Sequence, residues 1–259
     1  MISLQEEKKE QLHLKKLKTD SVYRVNYLEN FIDEFAQYYL SDHLKSEIGW
    51  LHYEWYEILH GTKDIALACP REHAKSTIFV LIYVLFCILY LRRKFIVIIS
   101  DTKDQAETLL GGVVEELETN KRIINDFGKI AGYVPPKAEE KEKWTTSDIV
   151  TTSGVKVIAR GWKAKLRGLK KRSERPDLII LDDVENDEQV ESDIQRKKLS
   201  KIFNKSIMNL GSQDTRFIII GTILHYDSLL NNLIEKPPEG FLARRYKAIT
   251  NNKPIWSEW

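Results

Sequence analysis

Residues 78–91 (IFVLIYVLFCILYL) are fourteen consecutive apolar side chains in a chain of which 30% is charged. A helix needs about 20 apolar residues to cross a bilayer, so this run is too short to span one. A helix that is apolar on every side must be covered on every side, which predicts burial between a sheet and further helices. With 259 residues the chain can build a full core without disulfide or metal staples, and at 42% hydrophobic it is too apolar for disorder. Cys69 and Cys87 are too few for a disulfide framework or a four-ligand zinc site. No apolar signal segment opens the sequence, so a reducing cytoplasm is the expected compartment, with no membrane partner. Lys and Arg total 40 against 38 Asp and Glu, so a nucleic-acid reading depends on where the charges sit rather than on their sum.

The segments around the apolar run alternate in period. Residues 1–60 are rich in Lys, Glu, Leu and aromatics, with Tyr27, Phe31, Phe35, Tyr38 and Tyr39 at helical spacing, and read as a helical N-terminal region. From Lys63 onward, β-branched runs predict strands at 65–68, 95–100, 155–159, 178–181 and 217–220, with 148–152 pairing as a hairpin across Ser153-Gly154. Helices are predicted at 76–91, 104–118 and 192–210. The expected fold is α/β, a mostly parallel central sheet flanked by helices, with a core over 61–240 and a lid or linker over 241–259.

Between the first strand and the apolar helix lies Cys69-Pro70-Arg71-Glu72-His73-Ala74-Lys75-Ser76-Thr77. In register with the phosphate-loop pattern G-x-x-x-x-G-K-[ST], Lys75 and Ser76 match while Cys69 and Ala74 replace both glycines. Main-chain N–H groups at a helix N-terminus face a triphosphate. Lys75 would reach the β and γ oxygens of ATP, Ser76 and Thr77 would hold Mg²⁺ and phosphate, and Arg71, Glu72, His73 and Ala74 would complete the loop. A non-glycine residue forced to positive φ costs roughly 1–3 kcal/mol, so the loop must take a shape that Cys and Ala tolerate.

Two further strands end in chemistry of the same kind. Leu178-Ile179-Ile180-Leu181-Asp182-Asp183 carries Asp182, a candidate Mg²⁺ ligand, and Asp183, a candidate to orient or deprotonate the attacking water. A solvated acidic loop is the alternative, because residues 182–193 hold seven acidic and no basic side chains. Phe217-Ile218-Ile219-Ile220-Gly221-Thr222 would place Thr222 as a sensor of the γ-phosphate, because adjacent parallel strands end at one edge of a sheet. Residues 95–100 add a strand between the loop strand and the acidic strand in sequence. That order suits the strand-inserted (ASCE), RecA-like class of P-loop NTPases.

With these residues the chain resembles the ATPase part of the large terminase subunit of tailed bacteriophages, a motor that packages double-stranded DNA into procapsids. The resemblance rests on residues 70–77, on Leu166-Arg167-Gly168 before residues 175–183, and on Ile220-Gly221-Thr222, and covers about residues 50–259. It implies a phosphate contact from Arg71, a coupling role for Gly221-Thr222, and an adenine contact near Tyr53-Glu54, where Glu54 stands in place of a Gln. The family usually has Glu directly after the metal-binding Asp. This chain has Asp183 there, which leaves Asp183 or Glu185 as the catalytic carboxylate. The family also implies ATP and Mg²⁺ as cofactors, a ring (a pentamer) at the portal protein, a small terminase subunit as partner, and action in the host cytoplasm at the procapsid portal. An isolated fragment can be monomeric. The end at residues 254–259 resembles the junction before a nuclease domain, so cutting activity is not expected.

Residues 160–175 hold eight basic side chains against Glu174 alone. Arg167 is a candidate arginine finger by resemblance, with DNA-backbone contact and a solvated loop as the other readings; the lysines suit backbone contact or solvent. His225 and Trp144 read as packing residues. The alternative functions are a helicase-like nucleic-acid-stimulated ATPase, which needs a second motor domain, and a non-hydrolysing nucleotide-binding scaffold.

Overall fold

The computed structural model describes residues 4–44, 48–132, 144–164, 175–250 and 253–255. Helices α1 (Leu4–Thr19), α2 (Ser21–Leu28), α3 (Ile32–Tyr39) and α4 (Trp50–His60) precede strand β1 (Asp64–Ala68). A π-helical turn (Thr77–Ile82) then runs into α5 (Tyr83–Leu89), followed by β2 (Phe95–Ser100), α6 (Lys103–Thr119), α7 (Lys121–Phe127), β3 (Asp148–Val150) and β4 (Lys156–Gly161). Next come β5 (Leu178–Asp182), α8 (Asp187–Glu191) and α9 (Asp193–Ile202), which continues into a second π-helical turn (Phe203–Ile207). The remainder is β6 (Arg216–Gly221), α10 (Leu229–Glu235), β7 (Phe241–Arg245) and the short pair β8 (Ile249–Thr250) and β9 (Lys253–Pro254).

Seven strands form one sheet in the order β3-β4-β2-β5-β6-β1-β7. Every pairing is parallel except β3 with β4, the hairpin edge. The strands are continuous apolar runs because both faces are covered: β2, β5 and β6 are buried along their full lengths. On one face Ile65, Leu67, Ile96, Ile98, Ile180 and Ile218 pack with α5, α6 and the N-terminal helices; on the other Ile179, Leu181 and Ile219 pack with α9 and α10. The apolar run lies in the first layer. Its outer side meets α3 and α4, with the rings of Phe35 and Phe86 5.4 Å apart and those of Trp55 and Phe79 5.5 Å apart. Among the described residues no helix is long and apolar enough to cross a membrane.

The structure differs from the sequence expectation in two places. The apolar helix begins as a π turn and ends at Leu89, because Leu91 turns into positive φ (53°) at the surface. In the sheet β6 lies between β1 and β5, with β2 on the far side of β5. Residues 241–245, assigned by sequence to a lid or linker, instead extend the sheet as β7, pairing with β1 in the register Asp64 to Phe241. Arg216 at the start of β6 also binds the N-terminal helices to the sheet. It donates from Nη1 to Leu59 O and Tyr83 Oη (both 2.8 Å), from Nη2 to Ile58 O (2.8 Å) and from Nε to Lys63 O (3.0 Å), closing the C-terminus of α4.

Candidate nucleotide site at the carboxyl edge of the sheet

The loop after β1 keeps strand-like pairing at its first residue, where Cys69 N–H donates to Gly221 O (3.0 Å). Cys69 therefore stands where a glycine was expected without needing a left-handed backbone. Ala74 does need one: its φ is 55°, and Glu72 has φ 64°. Such residues persist only where their surroundings over-determine them. Here His73 supplies part of that support, with a fully buried ring and Nδ1 2.7 Å from the Arg71 carbonyl oxygen. His52 of α4 supplies more, packing against the main chain of His73 while its Nδ1 accepts the Gly49 N–H (2.9 Å). Burial pushes the His52 imidazole down to about 4, so it stays neutral. The helix starts at Lys75 and Ser76, with Thr77 opening the π turn.

Lys75, buried, directs Nζ to within 3.1 Å of Asp183 Oδ2 and 3.5 Å of Thr222 Oγ1. Thr222 N–H donates to Asp183 Oδ1 (3.1 Å), and its hydroxyl donates to Cys69 O (3.2 Å). Three segments far apart in sequence thus meet at one point. Asp183 itself adopts φ 43°, which turns the chain sharply off β5 and places its carboxylate over β6. Gly221 allows that approach, since a Cβ there would lie 3.1 Å from Asp183 Oδ1 and 3.2 Å from Leu230 Cδ2.

Asp182 sits behind this pair. Burial, reinforced by the neighbouring Asp183 charge, pushes its carboxyl up to about 7, against a hydrogen bond from Ser76 and the charge of Lys75. Its Oδ1 is buried with no hydrogen-bond partner among the described residues. A deeply buried, incompletely satisfied carboxylate beside a serine hydroxyl fits a hard divalent cation. The described residues contain no group of three or more His, Cys, Asp and Glu able to enclose one.

The other sequence candidates fall as follows. Glu185 does not face this point: its oxygens accept the N–H groups of Leu229 (2.7 Å) and Leu230 (3.1 Å) at the start of α10. Burial pushes its carboxyl up against those two donors. Arg71 is exposed and paired with Asp187 at the start of α8 (2.9 Å). Glu54 lies on α4, 3.8 Å from Arg244 of β7. Arg167 falls outside the described residues. Sequence did not single out Asp101, which follows β2 directly and is buried. It accepts Trp162 Nε1 (3.0 Å), Asn186 Nδ2 (2.6 Å) and Gln189 Nε2 (2.5 Å), while Ser100 Oγ donates to Asp182 O (2.9 Å). Asp101, Lys163, Asn186 and Gln195 line a cleft of about 740 Å³ at the same edge. A strand of the sheet running into Ser-Asp was the available signal.

No protein-family model matches this sequence, and no curated protein matches it. Among solved structures it is similar to a mutant form of the large terminase ATPase domain of Thermus phage P74-26, at 16% identity over 83% of this chain and 85% of that one, TM-score 0.52. It also matches the HK97 bacteriophage large terminase (16% identity, 80% of this chain, 40% of that one, TM-score 0.49). A DEAD box protein from the hyperthermophile Methanococcus jannaschii matches at 16% identity over 74% of this chain and 48% of that one, TM-score 0.45. The first likeness is one of fold. Together with the strand order, it gives this chain the mostly parallel, helix-flanked sheet of the strand-inserted, RecA-like fold class.

Proposed function

We propose that this chain is the ATP-hydrolysing motor domain of a viral terminase large subunit, which translocates double-stranded DNA into a procapsid. The observation that carries the reading is the meeting of Lys75, Asp183 and Thr222 over β6, with Asp182 and Ser76 directly behind. In this reading the loop N–H groups and Lys75 bind the β and γ phosphates of ATP, with Arg71, Glu72, His73, Ala74 and Thr77 around them. Ser76 and Asp182 would hold Mg²⁺, which when bound supplies charge neutralisation across the β and γ oxygens. A γ-phosphate takes over the Lys75 ammonium and frees Asp183 to accept a proton as water attacks phosphorus and the bond to the bridging oxygen breaks. Thr222, bonded to both Asp183 and Cys69, senses the departure of the phosphate. Glu185 passes that change to α10, whose first N–H groups it holds.

The same reading extends to organisation and partners. It pairs a helical region over 1–60 with a motor core that runs through β7. The chain would assemble as a ring on the portal protein, with Arg167 reaching the neighbouring subunit's nucleotide, the small terminase subunit as a further partner, and the host cytoplasm as the setting. Phosphate release tests the core of this. Wild-type protein with Mg²⁺ and ATP should turn over, faster with duplex DNA, and Lys75→Ala should lose turnover at least 100-fold. Equal turnover in the two proteins refutes the site.

A further inference from the structure

The outer face of α9 is charged in a way that the nucleotide site does not explain. Residues 194–213 contain Arg196, Lys197, Lys198, Lys201 and Lys205 and no acidic residue, in a chain whose charges otherwise nearly balance. Leu199, Phe203 and Ile207 bury the inner side against the sheet. Ile194, Lys198, Lys201 and Lys205, all exposed, follow one another at spacings of four, three and four residues, which places them in a single stripe along the helix and its π extension. The other two cations are occupied: Arg196 binds Asp227 (3.2 Å) and Lys197 binds Asp193 (2.7 Å). Lys198, Lys201 and Lys205 have no carboxylate partner among the described residues.

We infer that this stripe is a contact surface for the phosphate backbone of duplex DNA. The inference rests on the motor reading for the identity of the polyanion, and on charge complementarity for the surface. Seven residues of helix span about 10 Å. Along one strand of a duplex, charges recur about every 3.4 Å of axis, so a stripe of that length faces two to three consecutive backbone phosphates. Lysine binds phosphate as a compact point charge and reads no base, so the contact is independent of sequence, as a track for moving DNA must be. The stripe also has a short route to the nucleotide site. α9 follows α8 directly, and the α8 segment is tied to the phosphate loop by the Arg71–Asp187 pair and to β2 by Asn186 and Gln189 on Asp101.

The test is duplex DNA affinity across a salt series without nucleotide, so that it is read apart from hydrolysis. Each phosphate contact contributes about −0.9 to the slope of log K against log salt. The triple variant Lys198→Ala, Lys201→Ala, Lys205→Ala should therefore have a slope shallower than wild type by about 2 to 3. The triple replacement by Arg should keep the wild-type slope. A triple variant of equal charge change on α1, Lys9→Ala, Lys15→Ala, Lys18→Ala, should keep it too. If the alanine triple does not fold, Lys201→Glu alone should lower the slope by about 1. An unchanged slope in the stripe variants overturns the inference, as does an equal loss in the α1 control or a change seen only on single-stranded DNA. Wild type that binds no duplex also overturns it, even when phosphate release depends on Lys75 and the motor reading stands.

Discussion

Replacing Asp182 by Asn should stabilise the metal-free protein and disable it. In the folded chain burial and Asp183 push the Asp182 carboxyl from 3.8 up to about 7. The sign follows from linkage: between those values the folded state holds a proton that the unfolded state has released, so this group's contribution to stability is fully present below pH 4 and is lost as pH rises through 7. The gap is about three units at about 1.4 kcal/mol each, an upper limit of about 4 kcal/mol. Asp183 and Lys75 share in it, so the expected effect is roughly 2–4 kcal/mol. Asn carries neither the charge nor the proton and keeps the Ser76 contact. Urea unfolding in EDTA from pH 4 to 8.5 should show the two proteins alike at the acid end and Asp182→Asn more stable by that amount at pH 8. Binding of Mg²⁺-nucleotide should fall sharply in the same variant. A stability difference that is the same at pH 5 and pH 8 refutes the buried-carboxylate argument.

Two further substitutions divide catalytic from structural roles. Asp183→Asn should lower turnover about 10²- to 10⁴-fold as a lost general base, whereas Glu185→Gln should keep most turnover and cost about 1 kcal/mol from a weakened α10 start; phosphate release and thermal melting on both variants read this, and the reverse pattern would move the base to Glu185. Arg216→Met should leave the Ile58, Leu59 and Lys63 carbonyls unsatisfied and cost roughly 3–5 kcal/mol, lowering the melting temperature by about 10 °C; a shift under about 2 °C would show that Arg216 does not anchor the N-terminal helices.

What was legible in the sequence, and what was not, follows the range of the interactions. Five of the six parallel strands stood out to within a residue or two because strands buried on both faces are largely apolar and β-branched, and residues 178–181 or 217–220 need no partner to look that way. The candidate site was legible because Asp182 closes such a strand, Thr222 follows one directly, and Lys75 lies on the loop that leaves β1. β7 was not, because Phe241–Arg245 is a half-exposed edge whose pairing with β1 lies in the main chain rather than in side-chain pattern. Least legible was the device that replaces the missing glycines. Ala74 and Glu72 stay left-handed because His73 folds inward and His52, twenty-one residues earlier, packs beneath. A glycine-free loop of this shape therefore depends on contacts made at a distance, those of α4 among them. The N-terminal helices are then part of the candidate site's support, and Arg216, which closes α4 against the β6 strand that leads to Thr222, connects that support to the residue proposed to sense the phosphate.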